Sequence, residues 1–239
     1  MKVLCFDIWG DYGHFRKFYT TSSPLTFSFP PPPTICGIIG AIYGADKNKY
    51  LEVFSSDRCR LSLKIVGPVK KTRMGINLIN TKDKHWSLFR DKYHEPRTQI
   101  RTELLKDPRF RIYFAHEDEN ILEGLSSLLE EHKTVYTVSL GLSEFLADFK
   151  YKGMYDAEYV SDSALVNLST PVLFSNIVKD GLEIEEGKKF FKEKMPIAMN
   201  QERVIQRYDD ILFEPQGKTI KAKVNTYCHL ENGENIVFF

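Results

Sequence analysis

The sequence predicts an α+β protein, and three observations carry that expectation. Three short segments alternate apolar and polar residues, two longer ones repeat apolar residues at helical spacing, and a strongly basic stretch separates the second and third alternating segments. Alternation with a period of two marks half-buried strands, and spacing of three and four marks one face of a helix.

The first strand is "KVLCFDIW", with Leu4, Phe6 and Ile8 on one face and Val3, Cys5, Asp7 and Trp9 on the other. The first helix follows in "TFSFPPPPTICGIIGAIYG", residues 26 to 44. Its prolines enforce an extended approach and disfavour helix before Pro33, so the helix is expected to start near Thr34, with Thr34 as its N-cap. Gly37, Gly40 and Gly44 share one face of it, and each internal glycine costs about 0.5–1 kcal/mol relative to alanine. Something backbone-close is therefore expected there: the sheet beneath, or a phosphate backbone at the N-terminal turn.

"CRLSLKIV" supplies the second strand, with Leu61, Leu63 and Ile65 inward, and "RFRIYFA" the third, with Phe110, Ile112 and Phe114 inward. The opposite face of the third, Arg109, Arg111 and Tyr113, is expected to be an outward cationic and aromatic surface. Residues 118 to 132 place apolar side chains at 121, 122, 125, 128 and 129, one face of a second helix, with Asp118, Glu119 and Glu123 near its start where the dipole favours negative charge. A last strand is expected near "VYTVSLGL". The resulting βαββαβ order is that of a ferredoxin-like domain over residues 1–150, also the order of RNA-recognition domains. About forty residues, 67 to 108, intervene between the middle strands as a long basic hairpin insertion. Residues 151–239 hold short β-like runs between Gly, Asp and Asn turns, expected to form a small β-rich domain.

Charge is unevenly distributed although the whole chain carries only +1. Residues 1–57 hold 5 basic and 5 acidic groups, residues 58–111 hold 15 and 5, and residues 112–239 hold 13 and 22. A segment at net +10 in a neutral protein is a localised field that attracts a polyanion, or else a solvated lysine-rich loop. The longest uncharged apolar run is far too short to cross a membrane, and Asp7 interrupts any leader-like stretch, so a cytoplasmic protein is expected. The four cysteines form no CxxC pair, which points to reduced thiols and no zinc site. No GxGxxG, GxSxG or HExxH occurs, and "QGKT" at 216–219 lacks the leading glycine of a phosphate loop, so no metal or cofactor is expected.

The blocks "GHFRKFYTTSSPLTFSFPPPPTICGIIGAIYG", "RTQIRTELLKDPRFRIYF" and "YTVSLGLSEFLADF" resemble the CRISPR-associated Cas five family of the RAMP superfamily, most closely its type I-B kind. The resemblance implies a subunit that caps one end of the Cascade surveillance complex and holds the 5′ handle of the crRNA. It also implies contact with the Cascade backbone subunit and the large subunit, and makes the insertion the family's projecting thumb. Carried onto this chain, it implies an RNA-binding early loop of Arg16, Lys17, Tyr19, Thr20, Thr21 and Ser22, with Thr34 and Gly37 at the helix terminus. In the thumb it points to Lys70, Lys71, Arg73, Arg97, Gln99 and Arg101, with Arg109 and Arg111 on the sheet below. "SLGLS", around Gly141, resembles the superfamily's glycine-bearing loop near RNA.

One branch of the family, the type I-C kind, cuts precursor guide RNA without metal through a Tyr, Lys and His set. Tyr43 or Tyr50 with Lys84 and His85 would be the equivalents here, making a metal-independent endoribonuclease the alternative to a non-catalytic RNA-binding subunit. A subunit whose basic segment faces an acidic protein neighbour is a third reading.

Overall fold

The strand at Lys2–Trp9 lies inside a six-stranded antiparallel sheet of the computed structural model, which describes residues 1–20, 22–81, 89, 95–161 and 164–239. In chain order the elements are β1 (Lys2–Trp9), β2 (Tyr12–Gly13), α1 (Pro32–Tyr43), α2 (Tyr50–Val53), β3 (Cys59–Ile65), β4 (Lys70–Ile79), β5 (Arg97–Lys106), β6 (Arg109–His116), α3 (Glu119–Glu130) and β7 (Asp148–Val160). They are followed by β8 (Leu165–Leu168), β9 (Val172–Leu173), β10 (Ile177–Leu182), β11 (Phe191–Met199), β12 (Ile205–Phe213), β13 (Ile220–Val224), β14 (Tyr227–Leu230) and β15 (Asn235–Ile236). The chain is thus mixed and mostly β, with few helices. Among the described residues no helix is long and apolar enough to cross a membrane.

The large sheet has the order β15-β14-β7-β1-β6-β3. One face is built from the apolar positions of the three alternating segments, Leu4, Phe6, Ile8, Leu61, Leu63, Ile65, Phe110, Ile112 and Phe114, and both longer helices pack into the same core. Leu122, Leu125 and Leu129 of α3 are buried there, and the Asp118 carboxylate caps that helix by accepting the Asn120 N–H at 2.9 Å.

The other face departs from the sequence expectation. Tyr113, expected outward, is fully buried in a second core with Val3, Cys5, Ala157, Cys228 and Leu230. β14 and β15 extend the sheet beyond β7, and the chain around them reaches over this face, where the Ser62 hydroxyl donates to the Val237 carbonyl at 2.6 Å. The Tyr113 hydroxyl donates to Glu234 at 2.8 Å, so its polar end is satisfied under the cover.

The fourth strand of the central layer also differs. "VYTVSLGL" forms a loop with one isolated bridge, Ser139 to Leu146, and the strand comes later, at β7. Gly141 turns that loop at a φ of 98°, where a Cβ would lie 1.9 Å from the His14 carbonyl oxygen, so no other residue fits. β7 escaped notice because its outward positions are polar and Gly153 breaks its alternation at a register shift against β1.

Helix α1 starts at Pro32, with Pro31 at the cap, two residues before the expected start. Proline is tolerated at the first helical positions because its missing N–H has no intrahelical partner to lose. Thr34 is therefore inside the first turn rather than capping it. The glycine face packs on α2 rather than on the sheet: added Cβ atoms would touch Tyr50 at 3.8 Å from Gly37 and 3.3 Å from Gly40, so the smoothing admits that short helix.

Residue 150, the expected domain boundary, falls inside β7. Met195, Ile197, Ile211 and Phe213 of the β11/β12 hairpin share the main core with α1, and Phe213 packs edge-on against Phe29 at 5.3 Å.

Candidate nucleic-acid interface

Between β3 and β6 the chain leaves the large sheet as an antiparallel hairpin, β4 with β5, joined at its base by β2. The register is unbroken from Lys70↔Lys106 to Ile79↔Arg97. Strand geometry then sorts its side chains by parity. Arg73, Arg97, Gln99 and Arg101 share one face, while Met74, Ile76, Leu78, Ile100 and Thr102 share the other. Of the thumb residues singled out from the sequence, Lys71, Arg73, Arg97, Gln99 and Arg101 thus share the face opposite the hairpin's apolar side, whereas Lys70, paired with Lys106 at the base, has the parity of the apolar side.

That apolar side forms one wall of a cavity of about 520 Å³. Ile76, Leu78, Ile100 and Thr102 come from the hairpin, His14, Phe15 and Arg16 from the early loop, Thr34 from α1, and Gly141, Leu142 and Glu144 from the loop after α3. A second hollow of about 280 Å³ shares Thr34 and Gly141 and continues along Gly37, Tyr50 and Met199. Tertiary structure therefore brings Arg16, Thr34, Gly37 and Gly141, distant in sequence, to one groove. The His14 N–H donates to the Leu140 carbonyl at 2.9 Å, which ties the two loops together.

The α1 N-terminus supplies little hydrogen bonding to an anion in that groove. Its first two residues are prolines without N–H, and the Thr34 N–H is already bonded to the Pro31 carbonyl at 2.8 Å. The expectation of a phosphate held by free backbone donors there fails for that reason. The Thr34 side chain remains at the groove.

Several expected cations are engaged within the chain. Lys17 Nζ lies 3.0 Å from Glu193, where both side chains retain only 13% and 14% exposure. Burial acts to lower the Lys17 pKa, yet the Glu193 hydrogen bond and charge leave it raised, so the ammonium is firmly held. Lys71 lies 3.6 Å from Glu193 and 3.7 Å from Glu103, and its Nζ donates to the Thr26 carbonyl at 3.0 Å. Lys70 faces Asp107 at 3.7 Å, and Arg73 faces Glu103 at 3.9 Å. The Arg111 guanidinium binds buried Asp7 through two contacts, 2.7 and 3.3 Å, across the β1–β6 pair. These side chains, Lys71 and Arg111 above all, fasten elements to one another.

Among the described residues no carboxylate lies within ion-pair distance of Arg16, Arg101 or Arg109. Arg16 donates to the Thr20 carbonyl at 2.9 Å, and Arg109 sits over the Trp9 ring at 5.2 Å. The Thr20 hydroxyl donates to the Lys17 carbonyl at 2.8 Å and so closes its own loop. Ser22 is exposed, and Thr21 lies outside the described residues.

Tyr19 belongs to an exposed aromatic group, edge-on to Phe18 at 5.1 Å, with Phe18 4.9 Å from Tyr208 and Lys194 5.9 Å from the Tyr208 ring. Sequence reading missed Phe18, Tyr208 and His14. Phe18 and His14 stood inside the block that carried the resemblance, whereas nothing local marks Tyr208. Of the alternative catalytic set, Tyr43 packs among the helices, 6.4 Å from Phe54 and beside Gly124 of α3. Lys84 and His85 lie outside the described residues.

The comparisons with known proteins agree on one group. No curated protein matches the chain. Its structure is similar to that of a CRISPR protein from Archaeoglobus fulgidus, with a TM-score of 0.57 at 14% identity, covering 98% of this chain and 97% of the other. It is also similar to a chain of a CRISPR RNA-guided surveillance complex, with a TM-score of 0.51 at 12% identity, covering 92% and 91%. At such identities the likeness concerns the fold. Residues 3–209 match the profile of the family described as CRISPR-associated protein (Cas_Cas5), which is most of the chain, and the chain therefore belongs to the CRISPR-associated Cas5 family.

Proposed function

We propose that this protein is a non-catalytic RNA-binding subunit of a type I CRISPR Cascade complex, of the type I-B kind, which holds the 5′ handle of the crRNA and caps the assembly. The observation that carries the reading is the groove between the hairpin and the body, where Arg16, Thr34, Gly37 and Gly141 converge beside an arm whose other face holds Arg97 and Arg101. A strand draped over the free edge of β4 would present phosphates to the cationic face and bases to the apolar one. Family membership and the structural neighbour from a CRISPR RNA-guided surveillance complex support the same reading.

The sheet order β7-β1-β6-β3, with α1 between β1 and β3 and α3 between β6 and β7, supports the ferredoxin-like reading of residues 1–150, and the β4/β5 hairpin supports its thumb. In this proposal residues 151–239 buttress the groove from β11. The backbone and large Cascade subunits are the protein partners, in the cytoplasm.

A filter-binding titration of the full chain with crRNA in EDTA tests the reading. Salt-sensitive binding with the RNA left intact is the expected result. Cleavage under those conditions would favour the endoribonuclease, and no affinity, either alone or with the other subunits, would leave a protein-interaction role.

A further inference from the structure

Cys36 lies on α1 and Cys59 opens β3, and both are buried, at 5% and 4% exposure. Their thiols meet at one acceptor: Cys36 Sγ donates to the Phe54 carbonyl oxygen at 3.3 Å, and Cys59 Sγ donates to the same oxygen at 3.2 Å. A carbonyl oxygen has two lone pairs, so it holds both donors and makes the two sulfurs neighbours. Hydrogen bonding to Cys59, and after it burial, pushes the Cys36 thiol well above its ordinary value, so the two side chains also touch each other. The other two cysteines form no such pair: Cys5 on β1 and Cys228 on β14 lie in the second core with β7 between their strands.

The pair also has a way in. Cys36, Cys59 and Phe54 line a hollow of about 200 Å³ whose walls are largely apolar, Pro32, Leu51 and Ile197 among them. Ser56 and Gln206 in its lining are exposed, so it opens to solvent. Among the described residues no three His, Cys, Asp or Glu side chains gather, so the thiols lack the further ligands that a zinc site requires. An apolar hollow disfavours a charged thiolate and tolerates a neutral product, and a disulfide is the neutral product open to two adjacent thiols. From hydrogen-bonding contact to an S–S bond of about 2 Å is a short approach.

We propose that Cys36 and Cys59 are a redox-active dithiol, which a small disulfide entering the hollow converts to a covalent bond between α1 and β3. One thiol loses its proton to solvent, and its thiolate attacks a sulfur of the small disulfide R–S–S–R; that S–S bond breaks, RS⁻ leaves and takes up a proton, and a mixed disulfide remains. The second cysteine, deprotonated in turn, attacks the protein sulfur of the mixed disulfide and expels the other RS⁻. Two electrons pass from the pair to the reagent, so the protein thiols are oxidised and R–S–S–R is reduced to two RSH. The Phe54 carbonyl gives up only two weak donors. The inference does not depend on the RNA-binding reading.

The test incubates the reduced full chain with bis(2-hydroxyethyl) disulfide at about pH 8.5, where more thiolate is present than at neutrality, and reads intact mass, thiol titration in denaturant and a peptide map. Two of the four thiols are expected to be lost, with the mass lower by two hydrogens and one link joining the peptides that carry Cys36 and Cys59, all reversed by dithiothreitol. Circular dichroism checks that the chain stays folded throughout. Cys36→Ser is expected to stop Cys59 at the mixed disulfide, carrying one half of the reagent, and Cys59→Ser to stop Cys36 in the same way. Where either variant folds poorly, the map of the native chain decides alone. Retention of all four thiols, a link between any other two cysteines, or a mixed disulfide that never closes in the native chain overturns the proposal.

Discussion

Replacing Glu193 by glutamine is expected to destabilise the protein by about 3 kcal/mol, because one carboxylate on β11 holds three donors from the early loop. Its Oε1 accepts from Lys17 Nζ at 3.0 Å and from the Ser28 hydroxyl at 3.1 Å, and its Oε2 accepts the Ser28 N–H at 3.0 Å. An amide keeps one acceptor but turns an NH₂ toward the remaining donors and leaves the Lys17 ammonium without its counter-charge. Breaking one side of a buried pair costs about 3–5 kcal/mol, and the residual solvent access of this pair places it at the lower end. For a chain of this length the loss corresponds to a fall in Tm of about 6–12 °C. Thermal melts followed by circular dichroism measure it. The double variant Lys17→Met with Glu193→Gln is expected to recover about 1 kcal/mol or more, since the Lys17 charge is then gone and Lys71, the other cation near Glu193, keeps Glu103 at 3.7 Å. A loss below about 1 kcal/mol for Glu193→Gln would refute the reasoning, placing the contact among surface pairs and returning Lys17 to the pool of phosphate-binding cations.

Arg97→Ala with Arg101→Ala is expected to weaken single-stranded RNA binding and to flatten the dependence of log affinity on log salt by about 1.4, at roughly 0.7 for each phosphate no longer neutralised; an unchanged slope would remove that face from the interface. Gly141→Ala is expected to cost more than about 2 kcal/mol in urea denaturation, because of both its φ of 98° and the collision with the His14 carbonyl. Glu234 is subject to burial, which raises its pKa, but the Lys64 and Tyr113 hydrogen bonds leave it below the ordinary 4.5. Its contribution is therefore complete above 4.5 and is lost as pH falls through the lower folded value. Glu234→Gln should lie closer to the native protein in urea midpoint at about pH 3 than at about pH 7, and an equal gap at both would refute the assignment.

The strands β1, β3 and β6 were legible because alternation is imposed by the backbone itself, residue by residue, and each apolar set reached the core face it implied. α3 was legible for the same reason, with its spacing and its Asp118 cap both local. α1 was misplaced by two residues because proline excludes helix before it more weakly than its reputation suggests: at the first positions there is no hydrogen bond to lose. β7 was hidden because a strand with a polar outer face and a glycine bulge carries little period-two signal.

The sequence by itself determined the alternating strands, the amphipathic helix, the basic excess of residues 58–111 and the family likeness, since each is written in neighbouring residues. Only the tertiary structure decided which cations are engaged, because Lys17 and Glu193 meet across 176 positions and Asp7 and Arg111 across 104. It also decided that Arg73, Arg97 and Arg101 of the hairpin face away from Met74, Ile76, Leu78 and Ile100, and that separate segments of the chain wall one cavity. Periodicity is a property of local backbone geometry, whereas the partner of a charge and the walls of a cavity are set by packing between segments that the chain brings together only on folding.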